Sequence, residues 1–242
     1  MDVPVLYEDN DCMVVDKPAG ITVFQETNTK KSASPAGRQD TKTLIDLLLE
    51  KYPALKSVGE DPRYGMVHRL DKDTSGVLLV AKRPEALIFL QKQFKNRGVE
   101  KKYLALATGV VREDSETIEA LLGRSPQDPR KQKVYKATEP APERAREAVT
   151  HYKVLQRFAT YTLLEVTMET GRRHQVRAHL AFIHHPIAGD ALYGFKDSPK
   201  PKGLTRQFLH ATSLKIQLPD GQTKEFKSEL PEDLQNILNN LT

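Results

Sequence analysis

The run Val77-Leu78-Leu79-Val80-Ala81, entered through Ser75 and Gly76, restricts the fold more than any other stretch of the chain. It has no polar alternation, so a strand built from residues 75–81 must be covered on both faces. Such a strand belongs in the interior of a layered sheet. Directly ahead of it stands His68-Arg69-Leu70-Asp71-Lys72-Asp73-Thr74-Ser75-Gly76, rich in turn-forming residues. Asp71 therefore sits in a turn that feeds a buried strand, between basic neighbours. Nearby positive charge favours the ionised form of a carboxylate. An ionised carboxylate fixed beside arginine can act as a nucleophile or a base on an anionic substrate. The other job for such an aspartate is a turn residue or helix cap, and the residues alone leave the two readings equal. Asp73 suits the turn-forming role better, as an acceptor for backbone near Ser75 and Gly76.

Punctuation and periodicity supply the other elements. Residues 3–7 and 12–16 read as strands around a short turn, the second ended by Lys17-Pro18-Ala19-Gly20. Residues 26–40, rich in Thr, Lys, Ser, Pro and Gly, read as an exposed, mobile loop. A helix over 41–52 closes at Pro53, residues 64–68 form a short strand, and Pro84 opens a helix to 96. In the strand 99–108, Tyr103 shares a face with Ala105 and Ala107, which leaves room beside its ring. Residues 124–147 read as irregular. Strands follow at 150–156 and 160–167, then a helix at 171–184 with Thr170 as its N-cap. A hairpin around Pro219-Asp220-Gly221 and a closing helix at 231–241 end the chain. Neither irregular region is long enough for a domain linker. The expectation is one domain over residues 1–242, of α+β class, with a mixed, largely antiparallel sheet and flanking helices.

Composition narrows the partners. A formal charge of +5 suits a polyanion, though a generic basic protein fits it equally well. The single cysteine, Cys12, excludes an intramolecular disulfide and offers no zinc framework. It lies in an apolar run without basic activating neighbours and reads as a core residue. No apolar stretch approaches the roughly 20 residues that span a bilayer, and the N-terminus lacks a signal-peptide pattern. A cytoplasmic protein without membrane contact is expected. With no coiled-coil or apolar surface signal, so is a monomer.

Several segments, in matching order and spacing, carry a resemblance to a known family. They are Asp16-Lys17-Pro18-Ala19-Gly20, the stretch from His68 to Lys82, Lys102-Tyr103-Leu104-Ala105, and Gly171-Arg172-Arg173-His174-Gln175-Val176-Arg177-Ala178-His179-Leu180, continuing to His185-Pro186-Ile187-Ala188-Gly189-Asp190. Together they span most of the chain, which resembles the RluA-type pseudouridine synthases. These enzymes break the bond between ribose and N1 of a uridine in RNA, turn the base, and rejoin it through C5. The resemblance implies the pseudouridine synthase catalytic fold, marks Asp71 as the catalytic carboxylate, gives Arg177 to it as a partner, and places Tyr103 under the target base. It implies rRNA or tRNA as partner and no cofactor or metal.

On the residues themselves, Arg177 lies at the edge of the helical apolar stripe Val176, Leu180, Ile183, where a bidentate pair with Asp71 is expected. Family resemblance suggests that Arg69 displaces the flipped base or fills its gap, with a phosphate contact as the alternative. His68 can do either or simply pack. Phosphate contacts are expected from Arg172, Arg173, Arg130, Lys131, Lys133 and Lys72, as a set lining one groove.

There are two departures from the family pattern. Relatives often carry a histidine soon after the Lys-Pro-Ala-Gly segment, where this chain has a polar insertion. Many relatives also carry a leading S4-type RNA-binding domain. Here the catalytic pattern starts within about ten residues of Met1, so specificity is expected from the loops of the catalytic domain.

Other readings fare worse. Asp71-Lys72-Asp73-Thr74 fits the Asp-x-Asp-x-Thr of haloacid-dehalogenase-type phosphatases, but those need the apolar strand ahead of the first aspartate. His174 and His179 are five apart, unlike a ligand pair one helical turn apart. The reading from a different class is a catalytically idle RNA-binding protein or RNA chaperone of the same fold.

Overall fold

The computed structural model describes residues 2–25, 42–136 and 138–241. The mobile loop expected at 26–40 lies outside them. The described residues form ten strands and four helices. The strands are β1 (Val5–Glu8), β2 (Cys12–Lys17), β3 (Ser75–Ala81), β4 (Glu100–Thr108), β5 (Ser115–Arg124), β6 (Gln132–Tyr135), β7 (Arg146–Arg157), β8 (Tyr161–Met168), β9 (Leu209–Gln217) and β10 (Thr223–Lys227). The helices are α1 (Leu44–Lys51), α2 (Pro84–Lys95), α3 (Gln175–Phe182) and α4 (Glu232–Asn239). One sheet runs in the order β1-β2-β3-β9-β4-β8-β7-β5-β6, with β10 on β9. Its pairs are antiparallel except β3 with β9. This is the α+β architecture the sequence predicts. No helix among the described residues is long and apolar enough to cross a membrane.

Every residue of β3 is buried, as its unbroken apolar run requires. α2 packs over it, and β2 and β9 flank it. Burying each of its large aliphatic side chains contributes about 1.5–3 kcal/mol relative to exposure. Gly76 shows why the motif ends as it does. Its φ is +114°, and a Cβ there would lie 2.2 Å from the Ala211 carbonyl oxygen of β9. Only glycine lets β3 enter the sheet this close to its parallel neighbour.

The structure differs from the sequence reading in three places. Residues 64–68 form a turn with one bridge, Met66 to Val80, instead of a strand. The irregular stretch 124–147 contains β6, and β5 just before it has no counterpart in the sequence reading. β6 is short and half polar and becomes a strand by pairing with β5, a tertiary cause that composition does not carry. Finally, α3 begins at Gln175, well after residue 171. Thr170 does not cap it; its hydroxyl donates to Gln175 Oε1 and accepts from the Val149 amide. The residue ahead of the helix is His174, in the left-handed region at φ 54°.

Candidate active site

The loop carrying Asp71 is held from beneath by Lys17, the last residue of β2. Its side chain is fully buried, and Nζ donates to the carbonyls of Pro18 (2.9 Å), Lys72 (3.0 Å) and Thr74 (2.8 Å). Burial pushes the ammonium down to about 7, with Asp73 and Asp71 opposing. Its three protons each find a carbonyl, so the charged form is the one this socket fits. Gln207 Nε2 donates to Thr74 Oγ1 at 2.7 Å and Arg206 Nη1 to the Asp73 carbonyl at 3.1 Å. Replacing Lys17 with methionine, of similar length, leaves those carbonyls without their donor. We expect a loss of about 2–4 kcal/mol in urea denaturation; a change under about 1 kcal/mol, the size of one ordinary hydrogen bond, would contradict this role.

Asp71 meets the helix α3. Arg177 Nη1 donates to Asp71 Oδ2 at 2.9 Å. The planar fork of the same guanidinium is bidentate on Asp190, with Nε to Oδ2 at 2.7 Å and Nη2 to Oδ1 at 2.9 Å. The expected pairing of Arg177 with Asp71 is present, but the bidentate partner is Asp190. Gly189, at φ +75°, turns the chain against Arg206 and brings Asp190 under the helix. The Asp190 side chain is wholly buried and also accepts the amides of Leu192 and Tyr193. Burial disfavours charge on both partners, yet their mutual bonds win. Asp190 is held below the usual carboxylate range, and Arg177 is pushed further up, with Asp71 adding to that. The Tyr193 ring lies 5.1 Å from the guanidinium carbon.

Tyr103 is buried and lines a small pocket of about 50 Å³ with Asp71, Arg69, His174 and Arg177. A cleft of about 310 Å³ shares Arg69, Asp71, Tyr103, Met168 and Arg172 with that pocket and adds Lys101 and Arg173. Burial, and then the charge of Asp71, raise the Tyr103 phenol, so it keeps its proton at neutral pH.

His174 joins this site, a placement the sequence reading does not contain. Its Nε2 lies 3.9 Å from Asp71 Oδ1, and its Nδ1 is 3.1 Å from the Tyr193 hydroxyl. Burial pulls the imidazole down to about 4 against the opposing charge of Asp71. The ring is neutral at physiological pH. Its left-handed backbone swings it off the helix toward Asp71, and the spacing of a helical motif gives no sign of that.

The expected RNA-contact residues separate. Arg69 is exposed with its guanidinium 5.2 Å from the Phe24 ring, and Arg172 and Arg173 are exposed on the cleft wall. His68 packs. Its ring stacks on Phe94 at 4.8 Å and its Nε2 accepts the Leu79 amide at 3.0 Å, while burial pulls it down to about 3. Lys72 is exposed, with its carbonyl committed to Lys17. Of the expected set, His68, Arg69, Arg172 and Arg173 line the 310 Å³ cleft. Arg130 and Lys133 are paired with Asp128 and Glu139, and of that trio Lys131 alone approaches the site, with Nζ 5.9 Å from the Tyr193 ring.

The mixed, largely antiparallel sheet agrees with comparisons to known proteins. The RNA pseudouridylate synthase family model matches residues 11–182, and the chain belongs to that family. It is 39% identical over 241 residues to the ribosomal large subunit pseudouridine synthase D of Nitrosomonas europaea, covering 97% of this chain and 64% of that protein. The chain thus spans a little under two thirds of that relative's length. It is 38% identical to an uncharacterized RNA pseudouridine synthase of Bacillus subtilis, covering 100% of this chain and 73% of that protein. Among solved structures, human RNA pseudouridylate synthase domain containing 1 superposes with a TM-score of 0.75 at 25% identity, covering 98% of this chain and 87% of that one.

Proposed function

We propose that the protein isomerises uridine to pseudouridine in structured RNA, with large-subunit ribosomal RNA as the substrate class. The observation that carries the reading is Asp71, held by Arg177 in a pocket walled by Tyr103. The ribosomal assignment rests on the names of the relatives. A base inside a helix is out of reach, so the target uridine is extruded. Arg69, exposed at the pocket mouth, is placed to stack where the base was or to hold a flanking phosphate. The flipped base lies on the Tyr103 ring, where stacking orients it without fixing its rotation. Asp71 either adds to the sugar or removes a proton from it, which releases the base at N1. The base turns, and C5 bonds to C1′ as the Asp71–sugar bond breaks or as Asp71 returns the sugar its proton; the C5 proton then passes to water, and N1 ends protonated. The net change is one proton lost from C5 and one gained at N1, so the balance needs no oxidant, reductant or group donor.

RNA carrying tritium at C5 of uridine tests this. The protein should release tritium to water from large-subunit ribosomal RNA and much less from transfer RNA. Release from transfer RNA alone would move the substrate assignment. Release from neither, with RNA bound, would favour the idle binding protein.

A further inference from the structure

No role assigned above falls to Lys101. It is 8% exposed, on β4 two residues from Tyr103 and on the same face. Lys101 is paired with Leu214 of β9, and the irregularity between Lys102 and Tyr103 lies on the β9 side, which carries the extra residue. The alternation of β4 itself is therefore unbroken. Two residues along a strand are about 6.6 Å apart, so Lys101 stands one short step from Tyr103. The side chain lines the 310 Å³ cleft. Nζ would be 3.9 Å from a Cβ placed on Gly171, at the turn ahead of α3. Nζ lies 6.0 Å from the Phe94 ring, and its charge acts on the buried His68 ring. Among the described residues it has no carboxylate or carbonyl partner, although the other buried cations of the site, Lys17 and Arg177, are hydrogen-bonded to carbonyl or carboxylate oxygens. A buried ammonium without an acceptor is costly unless a ligand supplies one.

We propose that Lys101 is the receptor for a single backbone phosphate of the RNA, the one flanking the nucleotide whose base lies on Tyr103. The proposal rests on the RNA reading of the site and deepens it. The phosphate enters the cleft, its oxygens complete the hydrogen bonding of Nζ, and Arg172 and Arg173 line the same cleft. Nothing acidic except Asp71 lines it. His68, Arg69, Lys95, Arg172 and Arg173 are its other ionisable groups, with the Tyr103 phenol. Burial holds the free ammonium down to about 8. A phosphate bound there favours the protonated form, so binding takes up a proton above that pH.

Equilibrium binding of in vitro transcribed large-subunit ribosomal RNA, measured in an Asp71→Ala background to prevent turnover, tests this. Lys101→Gln should weaken binding roughly tenfold or more and reduce the slope of log affinity against log salt by about 0.7–0.9. Lys101→Arg should restore the slope. With Lys101 present, affinity should fall roughly tenfold more between about pH 7 and pH 9 than in the Lys101→Arg protein, whose guanidinium stays charged throughout. Equal salt slopes and pH profiles in all three proteins would overturn the proposal. So would a Lys101→Gln defect confined to tritium release in the Asp71-containing enzyme. If wild type binds RNA through Lys101 yet releases no tritium, the proposed activity fails and the phosphate site stands. If Lys101→Gln does not fold, the Lys101→Arg comparison decides.

Discussion

Arg177→Leu should lower the free energy of unfolding by about 3–5 kcal/mol and abolish tritium release. The reason lies in Asp190 more than in Asp71. The Asp190 carboxylate is wholly buried and receives both arms of the guanidinium fork. Leucine fills most of the volume but leaves that charge facing only two backbone amides. Arg177→Lys restores charge without the fork, so it should recover part of the stability. The acid limb of the stability curve gives a second check. Burial opposes ionisation of Asp190, yet the Arg177 bonds hold its folded pKa below the usual range. Its contribution is therefore full above the unfolded value of about 3.9 and drains away as pH falls through the folded value. In Arg177→Leu the carboxylate is buried without its partner and prefers its proton, so that acid-side loss should disappear. Urea denaturation of wild type and variant from about pH 3 to pH 7 reads both effects. A variant within about 1 kcal/mol of wild type at neutral pH would remove Arg177 from the role described.

Asp71→Ala should do the opposite: little to the fold, almost everything to the reaction. Asp71 takes a single hydrogen bond from Arg177, and its side chain keeps 17% of its exposure. Without it Arg177 retains both bonds to Asp190, so no buried charge is stranded. The change in unfolding free energy should stay within about 1 kcal/mol. The rate of tritium release should fall at least about a thousandfold, as expected when the reacting carboxylate is removed. RNA affinity should change little, since the basic cleft remains. A residue that costs no stability and carries the rate is a mark of a functional site.

Much of this is legible in the sequence. The unbroken apolar run of β3 predicts a doubly covered strand, and its boundaries match. The alternation in β4 places Tyr103 beside small residues on one face. The motif order places Asp71, Tyr103 and Arg177 in the chain, and the fold gathers them around one pocket. What stays hidden depends on distant contacts. The arginine fork goes to Asp190, thirteen residues on, because Gly189 permits a sharp turn. His174 reaches Asp71 through a left-handed backbone that helical spacing does not suggest. Lys17 reads as the end of a strand, and its three carbonyl partners come from its own neighbour and from a loop 55 and 57 residues away. The burial of Lys101 without a carboxylate or carbonyl partner among the described residues has no sequence signature. Arg130 and Lys133 read as available to RNA because their carboxylate partners sit in a stretch that looks irregular.

The most direct measurement is site-by-site mapping of pseudouridine in large-subunit ribosomal RNA, by chemical modification and primer extension after incubation with wild type or Asp71→Ala. Wild type should give discrete modified uridines, and Asp71→Ala none, under conditions where both proteins are folded and bind the RNA. The same uridines modified by both proteins would contradict this.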